Sequence, residues 1–220
     1  MKRHELISRK AFPITIWLLL AFFVYGMGTV SILNPATRTE ALRMTPVALL
    51  LTTAVLLFFA DATYNWRTIA VLTVIAAGGF LAELAGIQTG WIFGQYQYTS
   101  NFGPRWWDTP PLIGLNWMFL SYAWAAVMRN AFPAPAYRIF YAALGMLAYD
   151  LLLEQAAPLM KLWYWKGGHI PTGNYVSWFA LALLFQGLLR YSRMNTRNKM
   201  ALPLLVLQAA MYICVILYIR

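Results

Sequence analysis

Cysteine, histidine and acidic residues are scarce in this chain: one Cys, two His and seven Asp or Glu among 220 residues. The lone thiol, Cys214, excludes an internal disulfide and cannot make a zinc site by itself; its place in the last apolar run fits a buried, inert thiol. No HExxH, CxxC or clustered histidine set is present, which sets aside zinc or iron redox chemistry. No GxGxxG or Walker sequence stands ready to cradle a nucleotide phosphate. No aspartate-rich DDxxD pair is present to hold magnesium and a diphosphate, so a prenyl transferase is not expected. The chemistry left open needs no metal and no cofactor.

Apolar residues fill the space. The chain is 61% hydrophobic with a mean hydropathy of +0.57, which excludes an ordinary soluble domain. Runs of about 20 apolar residues need a bilayer to bury them. The net charge of +10 does not point to nucleic acid, because the bases lie mostly at the ends of apolar runs. There they orient the chain and meet anionic headgroups, so membrane lipid is the expected partner. The oligomeric state is not legible.

Hydropathy predicts one helical membrane domain over residues 1–220, with helices at Pro13–Leu33, Thr45–Ala60, Trp66–Ile87, Leu112–Asn130, Ala136–Ala157, Tyr175–Tyr191 and Leu202–Ile219. The expected fold is all-α: about seven transmembrane helices and two structured, aromatic-rich outer loops. The first run is too long for a typical signal peptide and lacks a clear cleavage site after it, so a retained helix is expected. With a cytoplasmic amino terminus, residues 1–12 form a basic inside anchor. That side then holds eleven Lys or Arg against six opposite, as the positive-inside rule requires. Seven spans put the carboxyl terminus outside.

Four acids, Glu5, Glu40, Asp61 and Asp108, fall at the ends of apolar runs or between them. Glu83, Asp150 and Glu154 do not. A charge at the centre of a membrane helix costs roughly 2.5–3.5 kcal/mol on insertion scales, and acids placed there usually face a bundle interior and serve function. Glu83 lies near the outer end of its helix, Asp150 and Glu154 in the outer half of theirs, with Asn116 and Asn174 near the outer starts of two more. Five polar groups from four helices are therefore expected at one depth.

Local patterns agree. Gly79, Glu83, Gly86 and Gly90 recur at helical spacing on one face, where small residues permit close helix approach. Asp150 and Glu154 are four apart and so neighbours on one helix, which Pro158 stops or kinks. Two carboxylates so close in a dry place cannot both ionise cheaply, so one is expected to keep its proton. The connections Gln88–Pro111 and Pro158–Asn174 are dense in Trp, Tyr, Gly and Pro and are expected to line a pocket. Its candidate walls are Trp91, Phe93, Tyr96, Tyr98, Trp117, Trp163, Trp165 and Trp178.

Plainer readings stand beside these. The acids could pair with Arg105, Lys161 or backbone groups to fix loops. Asn116 and Asn174 could cap helices or tie two together. Most Trp and Tyr residues form an interfacial belt, and His169 faces solvent.

ELAGIQTGWIFGQYQYTSNFGP from Glu83 to Pro104 and PPLIGLNW from Pro110 to Trp117 resemble the membrane carotenoid hydratases, a family that includes bisanhydrobacterioruberin hydratase and γ-carotene 1'-hydroxylase. DLLLEQAAPLMKLWYW from Asp150 to Trp165 and IPTGNYVSWF from Ile170 to Phe179 continue the resemblance over the central half of the chain. One departure is the three residues Gln155-Ala156-Ala157 between Glu154 and Pro158, where the family commonly has an acid next to proline.

The resemblance implies a multi-pass enzyme of a bacterial or archaeal cell membrane. It would add water to the terminal double bond of an acyclic carotenoid, a lipophilic substrate, leaving a tertiary alcohol. Glu83, Asp150, Glu154, Asn116 and Asn174 are the candidate catalytic residues, with Asp150 or Glu83 as proton donor. Three alternatives remain open. A carotene cyclase or isomerase would share the first protonation, a membrane carrier would relay protons through the buried acids, and a pigment-binding subunit would do no chemistry.

Overall fold

A computed structural model describes residues 13–219. The expected basic anchor, residues 1–12, lies outside the described residues, as does Arg220. Eight α-helices follow in order: α1 (Ile14–Leu33), α2 (Arg38–Arg43), α3 (Thr45–Phe58), α4 (Trp66–Thr89), α5 (Leu112–Met128), α6 (Pro135–Ala156), α7 (Thr172–Tyr191) and α8 (Ala201–Ile219). The two long connections contribute one short strand each, β1 (Tyr96–Tyr98) and β2 (Trp163–Trp165).

All seven expected helices are present, with ends close to those expected. The largest shift is at α7: Pro171 is extended and the helix begins directly after it, so Asn174 sits in the first turn instead of opening the helix. The count of spans needs correcting. Four helices, α1, α4, α6 and α8, are long and apolar enough to cross a membrane. α3 has 14 residues and rises only about 21 Å, short of the roughly 30 Å hydrocarbon core. α2 was not expected; at 6 residues it is too short to show periodicity. Its Glu40 in the first turn and Arg43 in the last suit the helix dipole.

α5 is the hub. Its sequence is apolar on every side, and Ile113, Gly114 and the run from Asn116 to Ala123 are buried, as a helix surrounded by others must be. It packs against α3, α4, α6, α7 and α8. The crossing with α4 is close because glycine permits it. A Cβ at Gly114 would stand 2.2 Å from the Ala76 carbonyl oxygen, and one at Gly79 would stand 2.6 Å from the Trp117 Cβ.

α4 is capped at both ends by its own sequence. The Asn65 side chain accepts a 3.0 Å hydrogen bond from the Thr68 N–H, and Gly90 adopts φ +71°, the left-handed turn that ends a helix. α1 is the loosest element. Its surface is apolar all round yet little of it is buried, and it leans on α8 and α2.

The two connections meet. β1 and β2 pair antiparallel, with Tyr96 opposite Trp165 and Tyr98 opposite Trp163. Residues two apart in a strand share a face, so four aromatic side chains point one way. Gln97 and Tyr164 point the other. The ribbon covers the α4–α7 end of the bundle. At the opposite end Arg129, Arg138, Arg190 and Arg193 border a basic groove.

Candidate active site

The five polar residues expected at one depth are all buried, from 0% exposure at Asp150 to 8% at Asn116. α4 supplies Glu83, α5 Asn116, α6 Asp150 and Glu154, and α7 Asn174. The three acids lie within electrostatic reach of one another: Glu83 and Glu154 both act on Asp150.

Each carboxyl is held differently. Glu83 accepts three hydrogen bonds. Its Oε2 takes the hydroxyls of Tyr96 and Tyr98, the latter at 2.9 Å, and its Oε1 takes the Trp117 indole N–H at 3.0 Å. Glu154 accepts two on Oε2, from Trp165 at 2.7 Å and Trp163 at 3.1 Å. The ribbon therefore places two phenols on one acid and two indoles on the other. Asp150 has a single long contact, 3.4 Å from Asn174 Nδ2 to its Oδ2, while its buried Oδ1 has no hydrogen-bond partner. Asn116 Nδ2 is likewise buried without one. Buried polar atoms are nearly always satisfied, so these two mark where something else belongs.

No cation balances the group. Among the described residues the one salt bridge is Arg43 to Glu40, exposed on α2. Arg105, a candidate partner on the plain reading, donates to the Tyr98 carbonyl at 2.9 Å instead. The ribbon phenols stay protonated: burial, and after it the charge of Glu83, pushes Tyr96 and Tyr98 well above the ordinary phenol value.

The expected aromatic wall divides. Tyr96, Tyr98, Trp117, Trp163 and Trp165 spend their polar atoms on the two glutamates. Trp178 stacks on Trp117 with centroids 3.9 Å apart, and Phe93 is packed under Gly86, where a Cβ would approach to 2.5 Å. Trp91 is 91% exposed and stands apart from the cluster. His169 is exposed, as expected.

A cavity of about 550 Å³ lies beside the site, bounded by α1, α2, α3, α5, α6 and α8. Asn116 and Leu153 form its wall nearest the acids; Leu153 is three residues beyond Asp150 on the same helix. Farther along, the Tyr25 hydroxyl meets Thr52 Oγ1 at 2.7 Å, Tyr149 donates to Gln208, and Tyr212 joins them. Sequence reasoning passed over these residues. Gln208, an uncharged polar residue inside a long apolar run, was the one available signal. The ribbon, too, was announced by Y-x-Y and W-x-W, the period of a strand.

The family model described as carotenoid biosynthesis protein matches residues 44–219. The chain belongs to the carotenoid biosynthesis protein family. No curated protein and no solved structure matches it. The matched segment of this carotenoid biosynthesis protein holds every carboxyl, asparagine and ribbon residue described above. It leaves out α1 and α2.

Proposed function

We propose that this protein hydrates the terminal double bond of an acyclic carotenoid end group by acid catalysis. One observation carries the reading: of the three carboxyls, only Asp150 keeps a fully buried oxygen with no hydrogen-bond partner among the described residues. Glu83 accepts on both of its oxygens and Glu154 accepts twice on Oε2, so these two serve to position the ribbon and to shape the field around Asp150.

In this reading Asp150 carries the proton and transfers it to the less substituted carbon of the end-group alkene. The π pair forms the new C–H bond and leaves a tertiary cation. Aromatic faces stabilise such a cation, by about 0.5–2 kcal/mol each depending on desolvation. A water held through its oxygen by the free Asn116 amide attacks, and the resulting oxonium returns one proton to the Asp150 carboxylate. The sum is one water added and the acid restored. Asn174 keeps Asp150 aimed. A general acid of this kind contributes about 10²–10⁴-fold.

The basic end of the bundle, where α7 ends and α8 begins, fits the cytoplasmic side, which puts the carboxyl terminus and the acids outside. A phosphatase fused after Arg220 would be active only in that orientation.

Expression in a lycopene-producing bacterial host followed by mass analysis of the pigments tests the reaction. A product heavier by one water supports hydration. An isomer of unchanged mass moves the assignment to cyclisation, and unchanged pigment leaves a carrier or pigment-binding protein.

A further inference from the structure

The cavity beside Asn116 has one wall unlike the rest. α1 and α3 touch near one end, where Trp17 packs on Phe58 and Phe59 with ring centroids 5.6 Å apart in both pairs. Farther along, the Tyr25–Thr52 hydrogen bond ties them. Beyond that bond the helices diverge, and the cavity lies between Gly28 and Ser31 on one side and Val47 and Leu51 on the other. Val47 and Leu51 are exposed on the bundle surface, and a Cβ at Gly28 would meet nothing within 4 Å. α2 roofs the slot with Ala41 and Arg43. The slot thus faces the apolar outer surface of the bundle, and its inner end carries the unpartnered Asn116 amide, 8% exposed.

The geometry points to a lateral portal: the end group of a long hydrocarbon polyene enters from the bilayer between α1 and α3, above the Tyr25–Thr52 bond, and comes to rest against Asn116. This rests on the hydratase reading for its substrate class. The chamber has the volume of a small-molecule site, roughly 300–1,000 Å³; its lining is mostly apolar, with hydroxyl and amide side chains along it and the exposed Glu40–Arg43 pair at the α2 end. A ligand longer than the chamber keeps the rest of its length in lipid, so no aqueous passage is needed. α1 is suited to the part, because it is lightly buried and can shift without disturbing the acids.

Matched substitutions on both walls test the portal. Gly28→Trp and Val47→Trp fill the slot; Gly26→Trp and Leu50→Trp put the same bulk on neighbouring positions outside its lining. Each variant and the wild type are purified in detergent from lycopene-accumulating cells. Retained polyene per protein and conversion to the hydrated product are measured separately. Gly28→Trp and Val47→Trp should lose retention and conversion by about tenfold or more, while Gly26→Trp and Leu50→Trp stay within about twofold of wild type. Using both walls keeps the test decisive if one slot variant fails to fold. Wild type that retains no polyene, or slot variants that retain as much as their neighbours, would overturn the portal. Retention with the expected pattern but no hydrated product overturns the hydratase reading and leaves the portal standing.

Discussion

The two sides of the bundle solve opposite problems. Around α4, α5, α6 and α7, glycines let backbones nearly touch, and two glutamates take five hydrogen bonds from a ribbon and one tryptophan. On the other side α1 and α3 part over a 550 Å³ cavity floored by α8, tied by scattered phenol, amide and hydroxyl contacts. Asp150 and Asn116, the two least satisfied polar groups of the site, sit where these regions meet. If the proposed reaction and portal hold, the closely packed half positions the carboxyls and the more open half receives the substrate.

The largest effect should come from the junction. Asp150→Asn keeps the shape and removes the proton, so conversion should fall by about 10²–10⁴-fold with thermal unfolding in detergent little changed. Pigment mass analysis beside a melting curve reads both. Unaltered conversion would remove Asp150 from the chemistry.

The next test sets the two halves against each other. Gly114→Ala drives a methyl into the Ala76 carbonyl and should destabilise by about 1–3 kcal/mol or more. Gly28→Ala meets open space and should be neutral or slightly stabilising, because alanine suits a helix better than glycine. Equal melting temperatures for the two variants would erase the proposed contrast.

Trp165→Phe keeps an aromatic ring but removes the 2.7 Å bond to Glu154, leaving Trp163 as its one donor. The expected loss is about 1.5–3 kcal/mol, the usual worth of a hydrogen bond to a charged group, read by chemical or thermal unfolding.

The smallest effect is a pH dependence. Folding raises the Tyr96 and Tyr98 phenols above their ordinary value of 10.0. A raised value means the folded state holds protons more tightly, so their contribution is full below about pH 10 and declines as pH climbs past it. Tyrosinate absorbance from these two residues should therefore appear late, and Tyr96→Phe and Tyr98→Phe should reduce the late fraction.

The helices were legible because apolar runs announce themselves, and the buried acids because their cost makes them conspicuous. Glu83, Asp150 and Glu154 lie within electrostatic reach and Asn174 meets Asp150, while Asn116 is buried on the wall of the neighbouring cavity. What spacing does not encode is pairing across the chain. Tyr98 and Trp163 are far apart in sequence, and nothing local says that their strands are partners, although each strand betrays its period. The aromatic residues were expected to face a substrate and instead face carboxylates, because a phenol or indole buried near an acid gains more from a hydrogen bond than from an open wall. The cavity was illegible for a related reason. Its lining comes from six helices, and the open space at Gly28 exists only once α1 and α3 have been placed.

The ribbon also imposes an order of assembly. Glu83 emerges from the ribosome shortly before Tyr96, Tyr98 and Trp117, so its donors are complete once α5 has been synthesised. Glu154 waits for the segment after its own helix, and β1 has no mate until then. Nascent chains arrested just before and just after Trp165 should differ sharply in protease resistance of the first loop, which makes biogenesis itself a reporter of when the two acids acquire their shells.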